Sequence, residues 1–493
     1  MTLKELNLTC HCGAAKQGTG LVVGDYSDDN IDEPTNRIGI DLCHCAACRH
    51  STGVLCASYL NVSYSGMIPP ANVEGLSRYP LLEDADGHVA TGGISRYFCS
   101  TCGCHVFLHK DGDDGDEHAF MDPNDDHMWL PKVPEARWAV ATGVITELTW
   151  DETRGIDGGD ETDERDTYPL IKYLRHINTE STRDGGLSTF IRSTGNSGGL
   201  EVVERWDPTQ CSPMSLLGHV EAKDRTRTTR VDGGVGEKGK DNDVLNGSCQ
   251  CGTVRFHITR PNEASRLPRS NFADLLVPYH TGSSSIENLD DEKWWLYPSR
   301  RSTTTSEAGG GQEQKQETSK FTRYLAGTCA CRSCRLNSGF EIQTWAFVPM
   351  ANILFHVPAS VLPSPDIKSS TPTATTLLTE AGLEEIIIPL DFNTLPSGLL
   401  KSYESKPGVR REFCARCGAT VFWRDRWRPK LMDVSVGLLD ADEGALARDW
   451  LCWYTGRVSF AEEAVTDRRG CVARWAKELI GSLERGLGEW GGD

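Results

Sequence analysis

Fourteen of the nineteen cysteines in this sequence fall into one pattern that occurs twice. The first half carries Cys10-x-Cys12, then Cys43-x-Cys45-x-x-Cys48, then Cys99-x-x-Cys102. The second half carries Cys249-x-Cys251, then Cys329-x-Cys331-x-x-Cys334, then Cys414-x-x-Cys417. The flanks agree as well. Gly13 matches Gly252, Arg49 matches Arg335, Gly53 matches Gly339, and Phe98 to Phe107 matches Phe413 to Phe422. An internal duplication is the simplest source of such a pattern.

These spacings suit metal ligation. In Cys-x-Cys on a strand, both side chains point to one face, because side-chain direction alternates with period two. Cys-x-x-Cys followed by Gly is a turn that presents two more sulfurs, with the glycine letting the backbone fold under them. Pairing the two motifs gives a closed four-cysteine zinc site from Cys10, Cys12, Cys99 and Cys102, with a twin from Cys249, Cys251, Cys414 and Cys417. A closed site is structural and ties the start of each domain to its far end.

The trios Cys43, Cys45, Cys48 and Cys329, Cys331, Cys334 remain. Three protein ligands leave a fourth position for water or an incoming thiolate, as in a working zinc site. Three thiolates on one Zn2+ carry a net negative charge, so the ion is a modest Lewis acid suited to holding and handing over a soft sulfur ligand. Arg49 and Arg335 follow the third cysteine directly. They either offset that charge or hold a substrate carboxylate. The expected load is two zinc ions per domain, about four per chain.

The duplication also tests the bystanders. Cys56 aligns with Ile342, Cys104 with Ala419, His44 with Ala330 and His11 with Gln250. None is a required ligand if the copies act alike. Cys56 and Cys104 read as small buried residues. His44 or His105 would bind metal only if the first copy has diverged. Cys211, Cys452 and Cys471 lack partner spacing and read as structural.

The elements that position these residues are mostly strands. Val54 to Val62, Gly339 to Val348, Val421 to Trp423 and Ala139 to Ile145 are rich in β-branched and aromatic residues. One helix is clear: Val472, Trp475, Ala476, Leu479, Ile480, Leu483 and Leu487 recur at helical spacing, a stripe expected to pack on its own domain. Residues 111–126, 151–166 and 299–320 read as solvated insertions. The expected fold is therefore mainly β, two tandem zinc-binding domains with long loop insertions and a C-terminal helix. Its boundaries are 1–193, a linker over 194–243, 244–465, and the helix over 466–493.

Composition narrows the function classes. The chain has 493 residues, 38% apolar, enough for more than one core. Acids outnumber bases 70 to 51, giving a net charge of −19. Such a chain is repelled by phosphate backbones and anionic lipid, so no nucleic-acid or membrane partner is expected. Arg410-Arg411, Arg424 to Lys430 and Arg468-Arg469 are short basic clusters that read as ordinary surface. No apolar run is long enough for a membrane span, and Met1 to Cys12 shows no secretory pattern. The expectation is a cytoplasmic protein whose thiols stay reduced.

At the cysteine motifs the sequence resembles the family of glutathione-dependent formaldehyde-activating enzymes and centromere protein V. The resemblance rests on Cys10-His-Cys12-Gly13, Cys43 to Arg49 with Thr52-Gly53, and Phe98-Cys99 to Gly103. It rests equally on Cys249-Gln-Cys251-Gly252, Cys329 to Arg335 with Ser338-Gly339, and Phe413-Cys414 to Gly418. His176 to Phe190 and Trp450 to Glu463 resemble the family tail. The resemblance implies a β-tent fold with two zinc sites per domain. It also implies carbon–sulfur lyase-type activity on a thiol adduct of a small aldehyde, such as S-hydroxymethylglutathione, with a small-molecule thiol such as glutathione as partner. The alternative is a non-catalytic tandem zinc-binding interaction module. No general base is marked in the sequence.

Overall fold

The computed structural model describes residues 3–19, 37–62, 75–80, 93–110, 138–150, 170–194, 199–204, 243–281, 286–299, 321–359, 375–378 and 384–490. The insertions read at 111–126 and 151–166, nearly all of 299–320, most of the 194–243 linker and Cys211 lie outside these residues.

The fold is mainly β. Each half contributes one long sheet and one smaller sheet. In the first half, strand Arg37–Cys43 lies between a parallel neighbour, Leu170–Ile177, and an antiparallel one, Ala57–Val62. The sheet continues through Trp138–Ala141, His105–Lys110, Ile94–Cys99 and Leu76–Pro80. In the second half, Phe321–Cys329 is followed across the sheet by Gln343–Pro349, Leu431–Ser435, Thr420–Asp425, Val409–Cys414 and Leu400–Lys406. Leu451–Trp453 is its parallel neighbour. The cysteine-bearing strands therefore occupy the same places in the two sheets. At the beginning of the 194–243 segment, Glu201–Val203 extends the first sheet by pairing with Leu170–Ile177.

Burial follows the strand chemistry. Every residue of Gln343–Pro349 is buried, as expected for a strand covered on both faces. Ile353–Pro358 alternates between buried and half-buried, as expected for a strand covered on one face. Two one-turn-plus helices follow the trio strands: α1, Ala46–Thr52, and α2, Arg332–Ser338. The long helix α3 spans Gly470–Trp490 and buries all seven residues of the apolar stripe. Its packing differs from the sequence expectation. It lies against first-half strands Ile145–Trp150 and Leu170–Ile177 as well as the second-half turn Ala461–Val465. Gly486 permits the crossing, because a Cβ there would run into the Phe190 carbonyl.

The two halves share one continuous core. Their main chains bond reciprocally: His11 N–H donates to the Leu336 carbonyl at 3.1 Å, and Gln250 N–H to the His50 carbonyl at 2.8 Å. Arg468 is buried and bonds Glu341 at 3.1 Å and the Thr142 carbonyl at 2.9 Å. The surface reading of Arg468-Arg469 thus fails at Arg468. A buried guanidinium survives only where a carboxylate and carbonyls replace water, and Glu341 and Thr142 supply them.

Candidate metal centres

Four cysteine clusters form among the described residues, each with its sulfurs within 4.8 Å of one another. Two contain four cysteines: Cys10, Cys12, Cys99, Cys102 and Cys249, Cys251, Cys414, Cys417. Two contain three: Cys43, Cys45, Cys48 and Cys329, Cys331, Cys334.

The four-sulfur clusters are assembled by turns. Cys10 and Cys12 lie just past the end of strand Leu3–Thr9, not on it, and Cys249 and Cys251 just past Val244–Ser248. The sulfurs therefore converge by chain reversal rather than by strand alternation. Gly13 at φ +78° and Gly252 at φ +73° take left-handed conformations that L side chains rarely adopt. Ala15 N–H donates to the Cys10 sulfur, and Val254 N–H to the Cys249 sulfur, each at 3.3 Å. Such bonds stabilise thiolate. Opposite, Gly103 N–H and Gly418 N–H close the Cys-x-x-Cys turns onto the carbonyls of Cys99 and Cys414. Five of the sulfur pairs in these clusters stand 3.3 to 3.6 Å apart. That is far beyond the ~2.05 Å of a disulfide. It is close to the ~3.8 Å edge of a tetrahedron with ~2.3 Å zinc–sulfur bonds. The donor set fits zinc.

The three-sulfur clusters are built from a strand end and a helix start. Cys43 and Cys329 are the last residues of their strands. Cys45 and Cys331 are the N-caps of α1 and α2, each accepting from the N–H of the third cysteine, at 3.3 and 3.2 Å. Among the described residues, no fourth cysteine, histidine or carboxylate joins either trio.

A buried arginine reaches each third sulfur. Arg96 Nη2 donates to Cys48 at 3.1 Å, and Arg411 donates through Nη1 and Nη2 to Cys334 at 3.6 and 3.5 Å. Hydrogen bonds from the other two thiols, reinforced by these guanidinium groups, hold Cys48 and Cys334 well below the ordinary thiol range. The reciprocal bonds push Cys43 and Cys329 up. Three thiolates, one divalent cation and one arginine sum to zero charge. Arg411 therefore departs from the surface reading of Arg410-Arg411. Sequence inspection missed both residues, though a signal was present: each stands three places before a Cys-x-x-Cys, as Arg96-x-Phe98-Cys99 and Arg411-x-Phe413-Cys414.

Arg335 is engaged away from its trio, whereas Arg49 lies close enough to Cys45 to feel its charge. Both are buried. Arg335 donates to the Gly143 carbonyl at 2.6 Å and the Thr466 carbonyl at 2.9 Å, holding the first half against the second. Burial lowers the Arg49 pKa, while Asp440 and Cys45 oppose that fall. His44 bonds His176 at 2.8 Å, and His176 bonds the Ile191 carbonyl, so His44 is engaged away from the trio. Its proton affinity is pushed well down by burial and by His176. His105, Cys56 and Cys104 are buried and join no cluster among the described residues. Cys452 and Cys471 form no disulfide and join no cluster among the described residues.

Residues 30–122 match the family model described as glutathione-dependent formaldehyde-activating enzyme. The match takes in the first trio, Cys99 and Cys102. It supports a relation to that family over this segment. No curated protein and no solved structure gives a significant match. No helix among the described residues is long and apolar enough to cross a membrane.

One prediction arises here. Arg411→Leu leaves a buried three-thiolate site without its counter-charge. Metal affinity at that trio should fall about 10- to 100-fold, the usual scale for an outer-shell partner. Chelator competition should then strip one ion per chain early, with Arg411→Lys intermediate. Unchanged stripping would show that the guanidinium does not balance the site.

Proposed function

We propose that this chain is a zinc-dependent carbon–sulfur lyase-type enzyme acting on a thiol adduct of a small aldehyde, with glutathione as the expected thiol. The reading includes two tandem formaldehyde-activating-enzyme-like domains over 1–193 and 244–465, joined by 194–243 and followed by the helix over 466–493. It places the protein in the cytoplasm.

The observation that carries the reading is the three-sulfur cluster with an arginine on its third sulfur and no fourth protein ligand among the described residues. A zinc ion there would be held by Cys43, Cys45 and Cys48, or by Cys329, Cys331 and Cys334. When bound, it supplies an acidified site for a substrate sulfur. The chain's own residues do the rest. In each trio an N–H bond holds the second sulfur, and the arginine holds the third and favours its thiolate. The reaction itself is an addition: the thiol sulfur bonds to the aldehyde carbon, the carbonyl π pair moves to oxygen, and that oxygen takes the thiol proton. Formaldehyde is reactive enough for positioning to carry much of the rate.

The test is exchange NMR of glutathione with formaldehyde. Metal-loaded protein should accelerate exchange, and the pair Cys45→Ser with Cys331→Ser should not. No acceleration across several thiols would discard the enzyme and leave the non-catalytic module.

A further inference from the structure

The two trios sit on differently furnished sheets. Cross-strand register aligns one row of side chains on the face that holds the arginine. In the second half the row reads Phe347, Asp433, Trp423, Arg411. In the first it reads Asn61, Ala139, Leu108, Arg96. Only the arginine is shared. Two further positions differ in the same sense. Trp345, next along the face from Phe347, stands where the first half has Tyr59. Phe460 stands where the first half has Asn178, each just after the residue that bonds the trio loop.

The consequences at the sulfurs are direct. Asn178 donates its side-chain N–H to the Cys43 sulfur at 3.4 Å. In the second half the trio instead packs with Trp345, Trp423 and Phe460, a cluster separate from the main core. Cys331, Trp423 and Phe460 are half-buried, and Tyr279 stacks on Phe460 with ring centroids 6.0 Å apart. Arg428 lies over the Trp423 ring at 4.7 Å and the Phe347 ring at 5.6 Å.

The cations around this cluster are already matched. Arg428 pairs with Asp433 at 2.8 Å and Asp425 at 3.4 Å. Arg457 pairs with Asp274 at 3.4 Å and Glu462 at 3.6 Å. Arg332, inside the trio loop, pairs with Asp467. Arg411 faces sulfur. A substrate with two carboxylates would meet acids and rings here. A flat apolar group would meet ring faces.

Building on the enzyme reading, we propose that the second trio takes thiols whose substituent beside the sulfur is flat and apolar, with Trp423 and Phe460 as its specificity-determining residues. The first trio, with Asn178 on Cys43, Tyr59 on Arg96 and Leu108 at the row position of Trp423, lacks this wall.

The experiment uses full-length, metal-loaded protein carrying Cys45→Ser, so that only the second trio is intact. Benzyl mercaptan and glutathione are compared by two readouts: quenching of tryptophan fluorescence on binding, and formaldehyde exchange by NMR. Benzyl mercaptan should bind about tenfold more tightly, the scale of one or two ring contacts. Trp423→Leu and Phe460→Asn, each the first-half residue, should erase the preference while zinc content stays constant. Equal or stronger binding of glutathione, or a preference unmoved by both variants, would overturn the proposal. A binding preference without exchange of either thiol would leave the proposal standing and remove the enzyme reading on which its catalytic sense depends.

Discussion

Serine in place of Cys417 should unfold both halves of the protein, whereas serine in place of Cys331 should leave it folded. Cys417 is fully buried in a four-sulfur cluster that joins the turn after Val244–Ser248 to the turn after Val409–Cys414. Structural zinc contributes about 10–16 kcal/mol of apparent folding free energy. A whole domain retains only about 5–15 kcal/mol. Losing a ligand therefore removes stability comparable to the total. The damage crosses to the first half because the cores are continuous and Gly418 lies directly under the Phe98 ring. Cys331 caps a seven-residue helix whose other contacts persist. Near-ultraviolet circular dichroism and elemental analysis separate the outcomes. Cys417→Ser should lose native tertiary signal and at least two of about four ions, and Cys331→Ser about one ion with the signal intact. A folded Cys417→Ser protein lacking a single ion would show that the closed cluster is not a folding element.

Much of this organisation was legible in the residues, for identifiable reasons. Cysteine spacing is a strong signal because few chemistries demand it, and all fourteen patterned cysteines fall into the clusters their spacing suggests. The long helix was legible because an apolar stripe at helical period has one simple use. Its partner was not, because a stripe states only that something covers it. Arg96, Arg411, Arg428 and Arg468 escaped for the opposite reason. A lone arginine is normally solvated, and only the fold shows that these four face sulfur, paired carboxylates or the other half. The aromatic row escaped because its members come from four strands that meet only through register. The Cys-x-Cys motifs fall in turns, because a strand holds cysteines at i and i+2 on one face but does not bend them toward a second motif.

Gly53→Ala and Gly339→Ala should each cost several kcal/mol, far more than the same change at Gly398. All three glycines are left-handed, at φ +81°, +80° and +89°. Placing an L residue there costs about 1–2 kcal/mol from backbone sterics alone. Gly398 has nothing within 4 Å of an added Cβ, so it reports that cost alone. At Gly53 an added Cβ would fall closer than 3.0 Å to the Thr420 carbonyl of the second half, and at Gly339 equally close to the His105 carbonyl of the first. Neither neighbour is a movable side-chain end. Both carbonyls belong to sheet backbone, so relief requires the halves to separate, exposing core and breaking the Gly143 N–H bond to the Gly339 carbonyl. A penalty above about 4 kcal/mol is the range in which a named steric cause is expected. Urea midpoints for the three variants measure the difference. Gly53 and Gly339 also end the helices that begin at a trio cysteine. The damage should therefore appear at the sulfurs too, as faster metal loss from the trio of the altered half. If Gly339→Ala matched Gly398→Ala in midpoint and metal retention, the close apposition of the two halves at their metal-bearing helices would be wrong.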